Sequence, residues 1–371
     1  MQAADILKLS DQILWAGFFV SVLFGAIAQR THFCTMGAIS DVVHMDDWTR
    51  MRQWVLAVGV AMLGFGALVY FGYLDPAKTL YSANRWIWLS AAVGGALFGF
   101  GMVLASGCGS KTLVRIGAGN LKSLVVFLVL GLSAFATLKG VTAVLRVETV
   151  DGVAVSVASG VSLPQILAPV FSVQLRQMSL LLGGILGGAL FIWALAAREF
   201  RSFDNLLAGL GIGGLVVLAW WISGTWGYVA EHPETLQETF LATNSGRAES
   251  LSFVAPVAYA VDWLLFFSDK SKVLTLGIVS VAGVVVGSGF HAVFSKTFRW
   301  EGFGGTEDLA NHLVGAALMG IGGVTAMGCT IGQGLSGIST LSLTSFVALV
   351  AIMAGALAAF KYQAWRVEQM L

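Results

Sequence analysis

Long apolar runs occupy much of this 371-residue chain, and they restrict it to one class of fold. A helix needs about twenty mostly apolar residues to cross the hydrocarbon core of a bilayer. Because backbone groups in lipid must be hydrogen-bonded within their own segment, runs of that length are predicted to be helical. We predict an all-α polytopic membrane protein with about nine transmembrane helices, at residues 13–28, 54–74, 86–105, 121–138, 178–197, 206–226, 273–294, 309–327 and 341–360.

The composition supports this class and argues against several functions. Hydrophobic residues make up 57% of the chain and charged residues only 11%, against about 25% charged residues in soluble domains. The lipid bilayer is therefore the expected surrounding, and a net charge of +1 argues against nucleic acid as a partner. The sequence contains no Walker motif, so we do not expect this chain to use ATP. We predict no cofactor and no metal site, and we interpret the loop from His44 to Asp47 as solvated.

Several stretches between the spans are too short or too polar to cross a membrane alone. Residues 29–37 favour a re-entrant turn or a half helix, and residues 109–120 are too polar to span. Residues 254–267 are apolar but short and contain a proline and an aspartate, so they form a second re-entrant candidate. Residues 147–161 alternate small polar and β-branched residues, which favours either a short hairpin or an extended loop outside the bilayer.

One glycine-rich stretch occurs twice, at a separation of 221 residues. The segments Ala96–Cys108 and Ala317–Cys329 are identical at eight of thirteen positions, including the pairs Gly107/Gly328 and Cys108/Cys329. Two of the three cysteines of the chain are thus related by the repeat. Self-similarity of this kind indicates an internal duplication.

The number of spans between the two copies fixes their relative direction. Five predicted spans separate Cys108 from Cys329, and an odd number makes equivalent segments cross the membrane in opposite directions. Proteins built from such inverted repeats hold their ligand near the midplane, where the repeats meet. We therefore predict two inverted-topology repeats at residues 1–140 and 201–371, with a connector and an inverter span at residues 141–200. Lysine and arginine counts mildly favour a cytoplasmic C-terminus.

Each cysteine lies at a break in an apolar run, which predicts a protein-shielded cavity lined by thiols. Cys34, Cys108 and Cys329 are few, odd in number and far apart in sequence, so we expect free thiols and no disulfide among them. Helix N-termini and free amides beside glycine attract anions, and sulfur is a soft, polarizable partner. The combination favours a sulfur-containing oxyanion as the ligand. The competing interpretation is that the cysteines are small buried hydrophobes.

Other polar residues are candidates with two interpretations each. Gln333 follows the third cysteine, and its two N–H groups suit an oxyanion. Arg30 and Lys111 either attract an incoming dianion or anchor helix ends at the interface. His291 and His312 lie in predicted spans, where a hydrogen-bonded packing role is favoured over proton coupling. Asp262 is a further candidate, because a carboxyl within an apolar segment is costly.

Three segments carry a family resemblance, namely Arg30–Cys34, Ser106–Cys108 and Gly328–Gly334. They resemble the three cysteine motifs of the YeeE/YedE family of sulfur-compound transporters, and the likeness covers nearly the whole chain. The resemblance implies uptake of thiosulfate across the bacterial inner membrane, through two inverted halves pinched at the middle. It also implies that Cys34, Cys108 and Cys329 pass thiosulfate along by S–H···S hydrogen bonds. Gly109–Lys111 departs from the residues that follow Cys329, so Lys111 and Gln333 are not expected to be equivalent.

Alternatives to thiosulfate transport remain at this stage. Some relatives are linked to selenium metabolism, so a selenium compound is a second cargo. An enzyme, a membrane sulfurtransferase that forms a persulfide, would need an exposed thiol of low pKa beside a basic group. Only Cys108 with Lys111 suggests that arrangement, and no acid–base constellation accompanies it. The resemblance also implies a small TusA-like sulfur carrier as a cytoplasmic partner, for which the chain would serve as an anchor.

Overall fold

The computed structural model describes residues 3–233 and 235–370, which form helices joined by mostly short loops. The helices are α1 (Ala3–Thr31), α2 (Thr35–Met45), α3 (Thr49–Tyr70), α4 (Trp88–Leu104), α5 (Gly109–Gly117), α6 (Leu121–Lys139), α7 (Val141–Glu148), α8 (Leu163–Val170), α9 (Leu175–Ala196), α10 (Phe203–Leu206), α11 (Ile212–Trp221), α12 (Ala255–Leu265), α13 (Leu276–Phe294), α14 (Thr306–Thr325) and α15 (Leu343–Met370). Polar caps fix several of their starts. The Asn120 side chain accepts the Ser123 amide at 2.8 Å where α6 begins, and such caps satisfy donors that the first turn leaves free.

Shorter elements complete the chain. There are 3₁₀ turns at Pro76–Lys78 and Arg198–Phe200 and π-helical turns at Leu207–Gly211, Ile222–Trp226 and Gly332–Gly337. The strands are β1 (Arg85–Trp86), β2 (Val155–Ser156), β3 (Tyr228–Val229) and β4 (Thr239–Phe240). Strand β2 pairs with β1, antiparallel, with Arg85 opposite Ser156. A hairpin within residues 147–161 is therefore wrong, because the extended segment pairs with a distant strand instead of with itself.

The predicted fold class, an all-α polytopic membrane protein, is confirmed. Among the described residues, eight helical stretches are long and apolar enough to cross a membrane. Helix α14, which contains most of the predicted eighth span, is not among them, since its first turns carry residues such as Asp308 and His312. It nevertheless packs along α4 and gives a ninth crossing. The eight stretches are Asp5–Met45, Thr49–Tyr70, Trp88–Gly117, Leu121–Lys139, Leu175–Ala196, Phe203–Trp226, Leu276–Phe294 and Leu343–Gln369.

Helices α4 and α14, which contain the repeated stretch, cross each other in opposite directions. A Cβ added at Gly101 would lie 2.6 Å from the carbonyl oxygen of Gly315, and one at Gly94 would lie 2.7 Å from that of Gly322. The 221-residue shift relates Gly94 to Gly315 and Gly101 to Gly322, so it exchanges the two contacts. Equivalent segments therefore run antiparallel, as an inverted repeat requires, and small residues permit the close backbone approach.

Other pairs of helices, taken in chain order, pack in a similarly reciprocal way. Helix α4 packs against α15, and its counterpart α14 packs against α6. In the same way, α1 packs against α13, and α11 packs against α3. The half helices α2 and α12 have eleven residues each and lie on α3 and α13. Helix α9 packs against α3 and has no counterpart in this scheme. Counting α14 with the eight spanning stretches of the described residues gives an odd number of crossings, so α1 begins and α15 ends at opposite membrane faces. We call these the N-terminal face and the C-terminal face.

Candidate functional site

Each cysteine follows a tight turn with the same backbone conformation. His32, Ser106 and Met327 have positive φ angles of 52°, 57° and 58°, and each lies two residues before a cysteine. Positive φ is uncommon for residues other than glycine. The shared turn shows that residues 30–34 form the same local structure as the two duplicated segments, although their sequence shows no such relation.

Hydrogen bonds end α4 and α14 in the same way. The Gly107 amide donates to the Met102 carbonyl at 2.8 Å, and the Gly328 amide donates to the Gly323 carbonyl at 2.8 Å. Bonds that reach back five residues close a helix C-terminus and satisfy carbonyls that the last turn leaves free. The predicted site residues Gly107 and Gly328 thus form the turns that redirect the chain into the protein before each cysteine.

Each cysteine also lies at the start of a short helical segment. The Gly37 amide donates to the Cys34 thiol at 3.4 Å at the start of α2, and the Gly332 amide donates to the Cys329 thiol at 3.4 Å. Cys108 is the N-cap of α5 and lies beside the Lys111 amide. Helix N-termini carry a partial positive charge. Three of them therefore point toward the three sulfur atoms.

The three thiols, which are free, converge within the protein. Their residues are 7%, 1% and 0% exposed in chain order. The Cys34 and Cys108 side chains interact directly. The Cys329 thiol lies near enough to Cys108 to interact with it electrostatically. The Cys108 sulfur lies 3.2 Å from the Ser110 hydroxyl oxygen. The sequence related only Cys108 to Cys329, and the fold adds Cys34 to the same cluster, which we call the thiol cluster.

Two buried threonine hydroxyls lie beside the thiol cluster, those of Thr35 and Thr330, which are 4% and 0% exposed and directly follow Cys34 and Cys329. The Thr35 hydroxyl has no hydrogen-bond partner within the described protein, and the Thr330 hydroxyl faces only the Cys108 thiol. A buried hydroxyl without a partner is costly, and such a group calls for a specific explanation. Neither residue was among the site residues predicted from the sequence, although the repeated Cys-Thr dipeptide was a usable signal.

A cavity of about 1020 Å³, the basic cavity, opens at the C-terminal face. Lys111 and Arg115 of α5 line it beside His32, with Lys296 and Arg299 from the loop after α13. Arg115 also donates to the Ser106 carbonyl at 2.8 Å, which links the cavity wall to the Cys108 turn. Glu301 is the only acidic residue in the described lining. Of these basic residues only Lys111 was predicted from the sequence as a site residue; Lys296 and Arg299 come from a segment that is distant in the chain, and Arg115 lies one helical turn after Lys111.

A second cavity of about 1120 Å³, the N-face cavity, opens at the opposite face and extends inward to Gly328. Its lining includes Glu249, Ser252, Tyr259 and Met327. The Cys329 thiol, next to Gly328, faces the Phe253 amide. Burial raises the pKa of Glu249 to about 7. The two cavities thus approach the thiol cluster from opposite faces.

The remaining predicted site residues have other partners. Gln333 is fully buried; its amide nitrogen donates to the Ala326 carbonyl at 2.6 Å, and its oxygen accepts from the Ser345 hydroxyl at 2.6 Å. Arg30 lies 2.9 Å from the Asp204 carboxylate, with nearly half of its side chain exposed. Both side chains are therefore engaged within the protein, which favours the anchoring interpretation for Arg30.

Two of the three polar candidates within apolar segments pair with charged side chains. Asp262 is buried and pairs with Lys272 at 2.6 Å. His312 lies 3.0 Å from Asp308, four residues earlier in α14. The contact of His312 fits the hydrogen-bonded packing role favoured for it from the sequence. Asp262, a functional candidate from the sequence, is held in an ion pair, with its second carboxyl oxygen buried without a hydrogen-bond partner in the described protein. His291, for which packing was also favoured, has a buried Nδ1 atom without such a partner.

Comparisons with known proteins relate the chain to sulfur transporters. A protein-family profile described as "Sulphur transport" matches residues 30–358. The chain is 26% identical over 352 residues to the protein named thiosulfate transporter TsuA of Escherichia coli K12, covering 92% of each chain. It is also 26% identical over 367 residues to the protein of the same name from Spirochaeta thermophila, covering 92% of this chain and 97% of that protein.

Proposed function

Because this chain belongs to the sulphur transport family, we propose that it takes up thiosulfate across a bacterial inner membrane. Both relatives carry the name thiosulfate transporter and align over 92% of this chain. The single observation that carries the proposal is the convergence of three buried thiols, each at the start of a helical segment, with the buried hydroxyls of Thr35 and Thr330 directly after two of them. That convergence, between two cavities, suits a soft and anionic cargo.

The groups at the thiol cluster suit both the negative charge and the soft terminal sulfur of thiosulfate. It is a dianion with three oxygens and one terminal sulfur. The thiols of Cys34, Cys108 and Cys329 present weak donors and polarizable sulfur to the terminal sulfur. The hydroxyls of Thr35 and Thr330 supply donors of the kind that oxyanions accept. Partial positive charge at the three helix N-termini offsets part of the charge of the dianion.

The proposed path runs between the two cavities and through the thiol cluster. Thiosulfate enters the N-face cavity, reaches Cys329 beside Gly328, and passes to Cys108 and Cys34 by S–H···S hydrogen bonds. Lys111 and His32 line the basic cavity on the far side, where cationic groups attract the dianion onward. The orientation follows the mild lysine and arginine excess at the C-terminal face. No covalent bond of thiosulfate forms or breaks, so the proposed function is transport and not catalysis.

Three further parts of the proposal extend it to the whole chain. Residues 1–140 and 201–371 act as the inverted repeats, and residues 141–200 supply the connector and the inverter span. Gly107 and Gly328 shape the turns at the centre of the path. A small TusA-like sulfur carrier receives the cargo at the cytoplasmic, C-terminal face.

Uptake of labelled thiosulfate into liposomes that hold the purified protein tests the proposal. We expect thiosulfate to accumulate intact, with sulfate and selenite taken up much more slowly, and empty liposomes to show none of this uptake. Selenite uptake without thiosulfate uptake would assign a different cargo. Release of sulfite with sulfur retained on the protein would identify a sulfurtransferase instead.

A further inference from the structure

Glu249 is the one carboxylate in the described lining of the N-face cavity. Its carboxyl oxygens accept the Asn244 amide at 2.9 Å and the Ser245 hydroxyl at 3.2 Å. Its own backbone amide donates to the Ser223 hydroxyl at 3.1 Å, which fixes the loop against the end of α11. Within the described part of the chain, no lysine, arginine or histidine forms a salt bridge with it. Glu249 is thus held in place by neutral donors and faces the cavity without a counter-ion.

The charged groups around Glu249 are engaged with other partners. Arg146 of α7 lines the same cavity but pairs with Asp151 at 2.8 Å. Arg247, two residues before Glu249, donates to the Ser82 carbonyl at 2.6 Å. The other titratable groups near the carboxyl are two tyrosine hydroxyls, of Tyr81 and Tyr259. When Glu249 is ionised, the cavity therefore holds one negative charge that no cation neutralises.

The segment after Glu249 connects it to the thiol cluster. The Leu251 carbonyl accepts the Ser336 hydroxyl at 2.7 Å, and the Phe253 amide faces the Cys329 thiol. Ser252 lines the N-face cavity and packs against Gly332, the residue whose amide donates to Cys329. An anion that reaches Gly328 through the N-face cavity therefore shares that cavity with Glu249.

We propose that Glu249 is a proton-binding residue whose neutral form admits the anion to the N-face cavity, so that proton and anion bind together. The inference rests on the proposed function and adds a coupling ion to it. A dianion and a carboxylate in one partly buried cavity repel each other, since the protein interior screens charge less than water does. The proton comes from water at the N-terminal face and binds a carboxyl oxygen of Glu249. The cargo itself undergoes no bond change.

The protonation of the Glu249 carboxyl near neutral pH agrees with this role. Burial raises the pKa of Glu249 to about 7, so the carboxyl is mostly neutral near pH 6 and mostly ionised near pH 8. Thiosulfate is the conjugate base of a strong acid and keeps both charges throughout this range. By linkage, an anion that binds only the neutral form draws protons from the buffer as it binds.

Thiosulfate binding to the purified full-length protein, measured by calorimetry at several pH values, tests the inference. We expect the affinity to be about tenfold weaker near pH 8 than near pH 6, as for binding that requires one proton on a group with a pKa near 7. Repeating the titration near pH 7.5 in buffers of different ionisation enthalpy reports proton uptake on the unaltered protein, without any substitution.

Variants assign the effect to its residue. Glu249→Gln keeps a neutral side chain of the same shape. The affinity of this variant for thiosulfate should therefore be independent of pH, and binding should take up no protons from the buffer. Glu238→Gln is the matched control, because Glu238 lies in the same polar region but is half-exposed and pairs with Lys78; it should keep the parent pH profile. If thiosulfate binds the parent protein without pH dependence, or if Glu249→Gln keeps the pH profile of the parent, the inference is wrong. Either result would leave the proposed transport function standing. Absence of thiosulfate binding at every pH would overturn both.

Discussion

The Ser345 hydroxyl of α15 donates to the side-chain oxygen of Gln333 at 2.6 Å, while the nitrogen of the same amide donates to the Ala326 carbonyl at 2.6 Å. Gln333 thereby joins three segments: the end of α14, the π-helical turn that follows Cys329, and the first turn of α15. All of the groups involved are buried. This geometry gives Gln333 a positioning role behind the thiol cluster.

Gln333→Ala should therefore reduce stability more than it changes affinity. Removing the amide leaves buried polar groups on Ser345 and Ala326 without partners, at a cost of about 1–3 kcal/mol. We expect a lower midpoint of thermal unfolding in detergent, and a double-mutant cycle with Ser345→Ala should show coupling. An unchanged midpoint together with a raised KM for thiosulfate would instead make Gln333 a ligand donor, as the sequence suggested.

The crossing of α4 and α14 should not tolerate a side chain. A methyl group at Gly101 would approach the Gly315 carbonyl oxygen to 2.6 Å, so Gly101→Ala must separate two backbones. We expect overpacking to cost about 1–3 kcal/mol and to lower the yield of folded protein. Gly188→Ala in α9 is the control, because nothing lies within 4 Å of the added methyl. Equal thermal stability of the two variants would show that the crossing does not hold the repeats together.

Substitutions of the three cysteines separate hydrogen bonding from packing and from covalent chemistry. Alanine removes the S–H donor altogether, and in a relay whose three thiols act in series each thiol is required for passage. Cys108→Ala and Cys329→Ala should therefore nearly abolish growth on thiosulfate as sole sulfur source, with membrane expression checked for each variant. Serine should keep more activity than alanine at any site that only donates a hydrogen bond, whereas a persulfide mechanism makes serine and alanine equally inactive.

Cys34→Ala should have a similar effect, because the Cys34 and Cys108 side chains interact directly. The sequence placed Cys34 apart from the other two, so this variant tests the cluster that only the fold shows. If all three alanine variants, singly and combined, grow like the parent, the cysteines are packing residues and the relay is wrong.

The basic cavity should govern the apparent affinity for the dianion. Lys111→Gln removes a cation beside the Cys108 turn, so we expect a several-fold increase in KM at low ionic strength. Salt screens charge over about 10 Å at 0.1 M, and the difference from the parent should shrink as salt is added. Lys361→Gln is the control, since Lys361 is exposed on α15 at the same face. An equal KM for the two variants in liposome uptake would exclude a role for the cavity charge.

The sequence alone determined the class and most of the spans, and it predicted the inverted arrangement. Hydropathy is a local property, so each run of apolar residues could be assigned to a helix without knowledge of its neighbours. The duplication at Cys108 and Cys329 was visible because eight of thirteen consecutive residues are identical in the two copies, and the number of predicted spans between the copies indicated their opposite directions. Residues 29–37, predicted as a re-entrant turn or a half helix, contain the end of α1, the turn at His32 and the start of the half helix α2.

The tertiary structure decided which residues meet. Residues 299–301 join the basic cavity through backbone bonds to Ala118 and Leu121, and Glu249 reaches the N-face cavity through a loop that no local pattern marks. Arg30 forms an ion pair with Asp204, which lies 174 residues later in the chain. Such contacts depend on how packed helices align across the membrane, whereas local hydropathy fixes only where each helix lies. For this reason the sequence identified the thiols, and the fold alone brought Cys34 to them and placed charged cavities on either side.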